Sequence, residues 1–79
     1  MSCFTIEDYV DVPVLYDELV ELIRLSDIYR ADKSTYNRFI MFKHCEDLFF
    51  TIKAREVEGF INSLDYSALL NYLEVTLSD

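Results

Sequence analysis

The fold of this chain depends on residues 36–54, YNRFIMFKHCEDLFFTIKA. The stretch contains two short apolar runs, 39–42 and 48–52, which are rich in phenylalanine and isoleucine and therefore favour β-strands. The five residues between them, 43–47, include no Gly or Asn, the residues that tight hairpin turns prefer. Short, continuous apolar runs predict an antiparallel β-hairpin here. A helix also fits, because four apolar residues recur at helical spacing. They are Phe42, Cys45, Phe49 and Ile52.

Upstream of this stretch, residues 11–28 carry the clearest helical pattern. Asp11 is a candidate N-cap, and Pro13 stands near the first helical position, where its missing N–H costs no hydrogen bond. Apolar or small side chains then recur along one stripe, with charged side chains on the opposite side. The stripe consists of Leu15, Leu19, Leu22, Ile23 and Ser26. Before this helix, the even-numbered apolar residues of 1–10 are compatible with a short strand. They are Phe4, Ile6 and Val10.

Downstream, the periodicity predicts two further helices, over 54–64 and 66–77. Gly59 weakens the first by about 1 kcal/mol relative to Ala, and Asp65 is the predicted N-cap of the second. The apolar stripe of the first helix is Val57, Phe60, Ile61 and Leu64, and that of the second is Tyr66, Leu69, Leu70, Leu73 and Leu77.

These elements predict a small α+β fold in one domain over residues 1–79. Its order is an N-terminal amphipathic helix, a central antiparallel β-hairpin and two C-terminal helices. If residues 36–54 are helical instead, the fold is an all-α bundle. The phenylalanines are expected to fill the core. They are Phe4, Phe39, Phe42, Phe49, Phe50 and Phe60.

Charge is segregated along the chain. Residues 1–23 contain six acids and no Lys or Arg, residues 24–55 contain all seven bases and four acids, and residues 56–79 contain five acids and no base. The net charge of −8 therefore divides into −6, +3 and −5. Either the two acidic flanks neutralise the basic middle within the fold, or the folded surface keeps an acidic face that favours a basic partner.

Catalytic and cofactor motifs are not evident. His44 adjoins Cys45, but neighbouring side chains diverge on a helix and point to opposite sides of a strand, so they make a poor nucleophile pair. The cysteines and the histidine lack zinc-site spacing, and a single Gly rules out a glycine-rich phosphate loop. We therefore expect a protein that is not an enzyme and binds no metal or cofactor. Cys3 and Cys45 are expected to be reduced thiols, with one disulfide between them as the alternative.

Bulk composition also bounds the partners. A pI near 4.4 disfavours direct binding to nucleic acid or to an anionic membrane. The longest uninterrupted apolar run, Phe39 to Phe42, has four residues, far below the roughly 20 of a membrane span. The first twenty residues hold five acids and no base, unlike a signal peptide. A cytoplasmic location is expected, which is the host cytoplasm if a phage encodes the chain.

The acidic first segment leads to the functional prediction. Carboxylates replace phosphates, and tyrosine rings offer stacking area in place of bases, when a protein fills a groove that normally binds nucleic acid. The predicted partner is a larger basic protein, such as a host protein that binds nucleic acid. The residues predicted to contact it are Glu7, Asp8, Tyr9, Asp11, Tyr16, Asp17, Glu18 and Glu21.

In composition the chain resembles phage inhibitors of host enzymes, anti-CRISPR and anti-restriction proteins, and bacterial immunity proteins, although no defined motif carries this resemblance. It implies a phage or mobile-element inhibitor that blocks a basic site on a host protein. One alternative is an immunity protein or antitoxin that neutralises a basic toxin. Another alternative is a small adaptor or homodimeric subunit, which the apolar region 39–52 holds together.

Overall fold

The computed structural model describes residues 5–78. A short 3₁₀ turn at Ile6–Tyr9 precedes three α-helices: α1 at Leu15–Ala31, α2 at Thr35–Val57 and α3 at Ser63–Ser78. Helix α2 packs against both α1 and α3. Of the residues described, 81% are helical and none lies in a strand. The predicted α+β class is therefore wrong, and the all-α alternative describes the fold.

Residues 36–54 lie within one continuous helix, so the predicted hairpin is wrong. Ser34 caps α2, because its Oγ accepts a hydrogen bond of 3.1 Å from the backbone N–H of Asn37. Four buried side chains then form a stripe at helical spacing: Met41, Cys45, Leu48 and Ile52. This stripe packs against the other two helices, and such burial outweighs the modest strand preference of Phe and Ile.

Helix α2 ends in a Schellman motif at Gly59, which corrects the helix predicted over 54–64. The backbone N–H of Phe60 donates to the carbonyl of Arg55 at 2.9 Å, and that of Gly59 donates to Glu56 at 3.0 Å. Gly59 has a φ of 88°, in the left-handed region that glycine adopts without strain. The residues of the predicted helix thus fall in the end of α2, the loop 58–62 and the first two positions of α3.

Helix α3 begins with a reciprocal cap, in which Asn62 and not the predicted Asp65 is the N-cap. The backbone N–H of Asp65 donates to Asn62 Oδ1 at 2.8 Å, and the backbone N–H of Asn62 donates to Asp65 Oδ2 at 3.3 Å. The predicted apolar side of this helix is confirmed, since Leu69 and Leu73 are buried. The remaining members are half-buried: Tyr66, Leu70 and Leu77.

Helix α1 starts at Leu15 without a side-chain cap, so the predicted capping role of Asp11 is wrong. Val14, just before it, has a φ of 68°, which is an uncommon conformation for a β-branched residue. Ile23 is exposed, whereas the other predicted members of the apolar stripe are buried: Leu15, Leu19, Leu22 and Ser26. Over 5–10 the predicted strand is replaced by the 3₁₀ turn, and Phe4 lies outside the described residues.

The core is built mainly from leucine, not from phenylalanine. The largest fully buried side chains are Leu15, Leu19, Leu22, Met41, Leu48, Ile52 and Leu69. The five phenylalanines of the described part are instead 40–69% exposed: Phe39, Phe42, Phe49, Phe50 and Phe60. The prediction that these rings fill the core is wrong, because the inner stripe of α2 is occupied by smaller side chains.

Candidate protein-binding surfaces

Parts of both acidic flanks of the chain meet at one end of the bundle. Because α2 runs antiparallel to its neighbours, the start of α1, the end of α2 and the start of α3 lie together. Two contacts join them: Tyr9 Oη donates to Asp65 Oδ1 at 3.2 Å, and Arg55 Nε donates to the Pro13 carbonyl at 2.9 Å. We call residues 5–18 and 53–65 the acidic end.

Eight acids and two bases give the acidic end a formal charge of −6. The acids are Glu7, Asp8, Asp11, Asp17, Glu18, Glu56, Glu58 and Asp65. At the other end of the bundle, residues 28–39 and 76–78 contain three bases and one acid, a charge of +2. The described part of the molecule is therefore electrically polar along the helix axes.

Ion pairs leave most of the acidic end uncompensated. The four pairs among residues 5–78 each join residues three apart on one stretch of chain. They are Arg24–Glu21 at 2.5 Å, Arg30–Asp27 at 3.1 Å, Lys43–Glu46 at 3.1 Å and Arg55–Glu58. No Lys or Arg of the described chain pairs with the first five acids, which are Glu7, Asp8, Asp11, Asp17 and Glu18.

The structure places the eight predicted site residues in three different environments. Four carboxylates are exposed: Glu7, Asp8, Asp11 and Asp17. Tyr16, Glu18 and Glu21 are half-buried. Arg24 donates to Glu21 through two nitrogens, at 2.8 and 2.5 Å, and this hydrogen bonding lowers the pKa of the Glu21 carboxyl. Tyr9 is only 8% exposed, so its ring belongs to the core.

The negative field of the acidic end acts on Tyr9. Burial and the neighbouring carboxylates of Asp65 and Asp8 raise the pKa of the Tyr9 hydroxyl to about 12. The hydroxyl therefore stays protonated near neutral pH and donates to Asp65. Tyr9 thus fastens the 3₁₀ turn to the start of α3 and helps to hold the exposed acids of the turn in place.

His44 and Cys45 have different surroundings, and they do not form a nucleophile pair. His44 Nε2 lies 2.7 Å from the backbone carbonyl oxygen of Glu18, to which its ring N–H donates. Cys45 is a free, buried thiol, and burial raises its pKa to about 11, which disfavours the reactive thiolate. Cys3 lies outside the described residues. Within 5–78, no three His, Cys, Asp or Glu side chains cluster in a way that could hold a metal ion.

A second surface is an apolar groove between α2 and α3; its α2 side lies within the apolar region 39–52 predicted above to hold a homodimer together, whereas its α3 side is not part of that prediction. It encloses about 370 Å³, with buried Cys45 and Leu73 among its lining residues. The other side chains that line this α2–α3 groove are Phe42, Glu46, Phe49, Phe50, Leu70, Glu74 and Leu77. When residues 35–57 are placed on a helix, they have more apolar positions than one buried stripe accommodates. This excess indicates from the sequence that part of the apolar surface of α2 stays exposed.

The chain matches no protein-family model, no curated protein and no solved structure. Across residues 5–78, none of the helices has the length and hydrophobicity needed to cross a bilayer.

Proposed function

We propose that this protein is a non-enzymatic inhibitor, encoded by a phage or mobile element, that places its acidic end in a basic nucleic-acid-binding site of a larger host protein. The partner lies in the host cytoplasm in this proposal. The observation that carries the proposal is that no Lys or Arg within residues 5–78 forms an ion pair with the five acids from Glu7 to Glu18. Such a surface attracts a cationic site and excludes the nucleic acid that normally occupies it.

The arrangement of the exposed carboxylates supports this function. Glu7 and Asp8 project from the 3₁₀ turn, Asp11 from the following loop and Asp17 from the first turn of α1. The turn is fastened by Tyr9, and the loop is held by Arg55. A fixed array of charges costs less conformational entropy on binding than a flexible acidic tail does.

Compared with the sequence prediction, the proposed contact surface shifts slightly. The exposed acids remain its centre, and half-buried Glu56 joins them from the end of α2. Tyr16 offers a partly exposed ring beside them. Tyr9 supports the surface from below and does not itself provide stacking area. Glu21 contributes less net charge, because Arg24 pairs with it.

The test begins with capture of partners from a host lysate, followed by measurement of each purified complex. Affinity should fall steeply between about 0.05 and 0.5 M NaCl, since screening weakens charge pairs at the rim of an interface. Duplex DNA or RNA bound by the partner should compete with the inhibitor. The triple variant Glu7→Gln/Asp8→Asn/Asp11→Asn should bind roughly tenfold more weakly, mainly through slower association.

A matched control separates this surface from net charge alone. The variant Asp27→Asn/Asp32→Asn/Asp47→Asn removes the same three charges from positions outside the acidic end, and it should bind almost as tightly as the wild type. Equal losses in the two variants, or an affinity that salt leaves unchanged, would contradict the proposal.

A further inference from the structure

Four exposed phenylalanines form one side of α2. Phe39, Phe42, Phe49 and Phe50 are each 40–69% exposed, and spacings of three, seven and eleven residues bring them to the same side of the helix. We call these four rings the phenylalanine face; three of them also line the α2–α3 groove. The largest contiguous apolar patch on a protein surface is often a functional one.

The area suits a protein interface. A phenylalanine presents about 150–250 Å² when fully accessible, so four half-exposed rings leave on the order of 400 Å². This is about half of the roughly 800 Å² that each partner buries in a standard interface. Leu70 and Leu77, on the far wall of the groove, add further apolar area.

The face is arranged nearly symmetrically along the helix. Helix α2 spans residues 35–57, so its midpoint is Glu46. Two rings precede this midpoint, Phe39 and Phe42, and two follow it, Phe49 and Phe50. A twofold interface requires one surface to be complementary to itself. Antiparallel pairing about Glu46 brings Phe42 of one copy opposite residues 49 and 50 of the other.

Charge favours the same arrangement. Helix α2 has a formal charge of +1, whereas α1 and α3 each carry −2 over their described lengths. Two copies with a net charge of −8 therefore approach best through α2. Antiparallel pairing also sets the acidic end of one copy beside the +2 end of the other, while parallel pairing would bring two acidic ends together. Glu46, at the centre, is paired with Lys43 at 3.1 Å.

We propose that this protein forms an antiparallel homodimer through the phenylalanine face, with the twofold axis near Glu46. Each copy inserts aromatic rings into the α2–α3 groove of the other. The two acidic ends then lie at opposite ends of the dimer, each beside the +2 end of the other copy. This inference goes beyond the proposed inhibition and stands or falls independently of it, because it uses different residues.

Sedimentation equilibrium of the isolated protein tests the dimer directly. We expect a concentration-dependent dimer whose affinity increases with added NaCl, since salt screens the repulsion between two acidic chains. This response is opposite in sign to the one expected for the complex with a basic partner, which salt weakens. One proposal can therefore be contradicted while the other holds. A protein that stays monomeric across the accessible concentrations would overturn the dimer.

Point variants and cross-linking locate the interface. Phe42→Ser and Phe49→Ser should each weaken dimerisation by at least about tenfold, because each removes a ring from both copies. Far-UV circular dichroism checks that both variants keep their helices. Val20→Ser, on the exposed side of α1, is the matched control and should dimerise normally. An unchanged dimer in both phenylalanine variants would overturn the assignment.

In a Cys3→Ser background, Glu46→Cys should cross-link efficiently with a short bismaleimide, whereas Asp27→Cys on α1 should not. Equal cross-linking at the two positions would exclude the twofold axis near residue 46. A monomer that binds a Lys-rich amphipathic peptide in the groove would show that a helix of another protein, and not a second copy, is the occupant.

Discussion

Leucine and phenylalanine occupy separate parts of this small protein. The fully buried positions hold five leucines with Met41 and Ile52, while every phenylalanine described is at least 40% exposed. Both residue types are strongly apolar, so hydrophobicity alone does not explain the division. Position along α2 explains it for four of the five rings. Residues 41, 45, 48 and 52 face the other helices, whereas Phe39, Phe42, Phe49 and Phe50 lie on an adjacent side of α2.

At the residue scale, Cys45 should react only when the protein unfolds. Its side chain is 3% exposed and its pKa is raised to about 11, so both access and thiolate formation are suppressed. In a Cys3→Ser variant, labelling by a disulfide reagent at pH 8 should be slow in buffer and fast in urea. Rapid labelling of the folded variant would contradict the burial of this thiol.

Tyr9 should make stability sensitive to alkaline pH. Its pKa is about 12 in the folded protein against 10.0 ordinarily, so only the unfolded chain ionises easily between these values. The contribution of Tyr9 to the free energy of unfolding is therefore constant below about pH 10 and is lost as the pH rises towards 12. Wild type should be more stable than Tyr9→Phe at pH 7, and the difference should shrink across that window. A difference independent of pH would contradict the Tyr9–Asp65 contact.

At the element scale, the helix ends are decided by hydrogen bonds that composition only partly reveals. Asn62 and Asp65 are both good capping residues, and their reciprocal bonds assign the first as N-cap and the second as third helical residue. Pro13 lies near the start of α1 as predicted, but Val14 in a left-handed conformation separates it from the first helical residue. For α1 and α3 the helix itself is thus easier to predict than its boundaries, whereas the sequence pattern of α2 also fits strands and does not predict its helix.

Gly59→Ala should lower the free energy of unfolding by about 1 kcal/mol, because it forces an L side chain into a left-handed conformation. Among the described residues other than its two chain neighbours, nothing lies within 4 Å of the added methyl group, so the loss reflects backbone strain and not a clash. Urea unfolding measures the change. Ser67→Ala, at an exposed position within α3, is the control and should be neutral or slightly stabilising.

At the scale of the whole molecule, folding concentrates negative charge. The 3₁₀ turn and the start of α1 are neighbours in the sequence, and folding adds the distant end of α2 and start of α3 to them, which gives this end a charge of −6. Such repulsion destabilises a compact state and is screened by salt. The same surface that suits a basic partner therefore lowers the stability of the free protein through charge repulsion.

The urea midpoint of the wild type should rise with NaCl, and the variant Glu7→Gln/Asp8→Asn/Asp11→Asn should raise stability at low salt by up to about 0.5 kcal/mol. The urea midpoint of this variant should also change less with NaCl than that of the wild type does. Asp27→Asn/Asp32→Asn/Asp47→Asn should give no comparable gain, since two of its sites lie near the basic end and Asp27 is paired with Arg30. Identical salt responses in the wild type and both variants would argue against repulsion at the acidic end.

By itself, the amino-acid sequence determined the properties that are local or additive. The stripes from Leu15 to Ser26 and from Tyr66 to Leu77 follow from helical periodicity, and the charge blocks are sums over residues. Only the tertiary structure decided that residues 36–54 are helical, because two secondary structures fit the local pattern and burial between α1 and α3 selects one. It also decided which apolar side of α2 remains exposed and which acids become neighbours. Both outcomes depend on contacts between residues far apart in the chain, and local propensity does not encode those contacts.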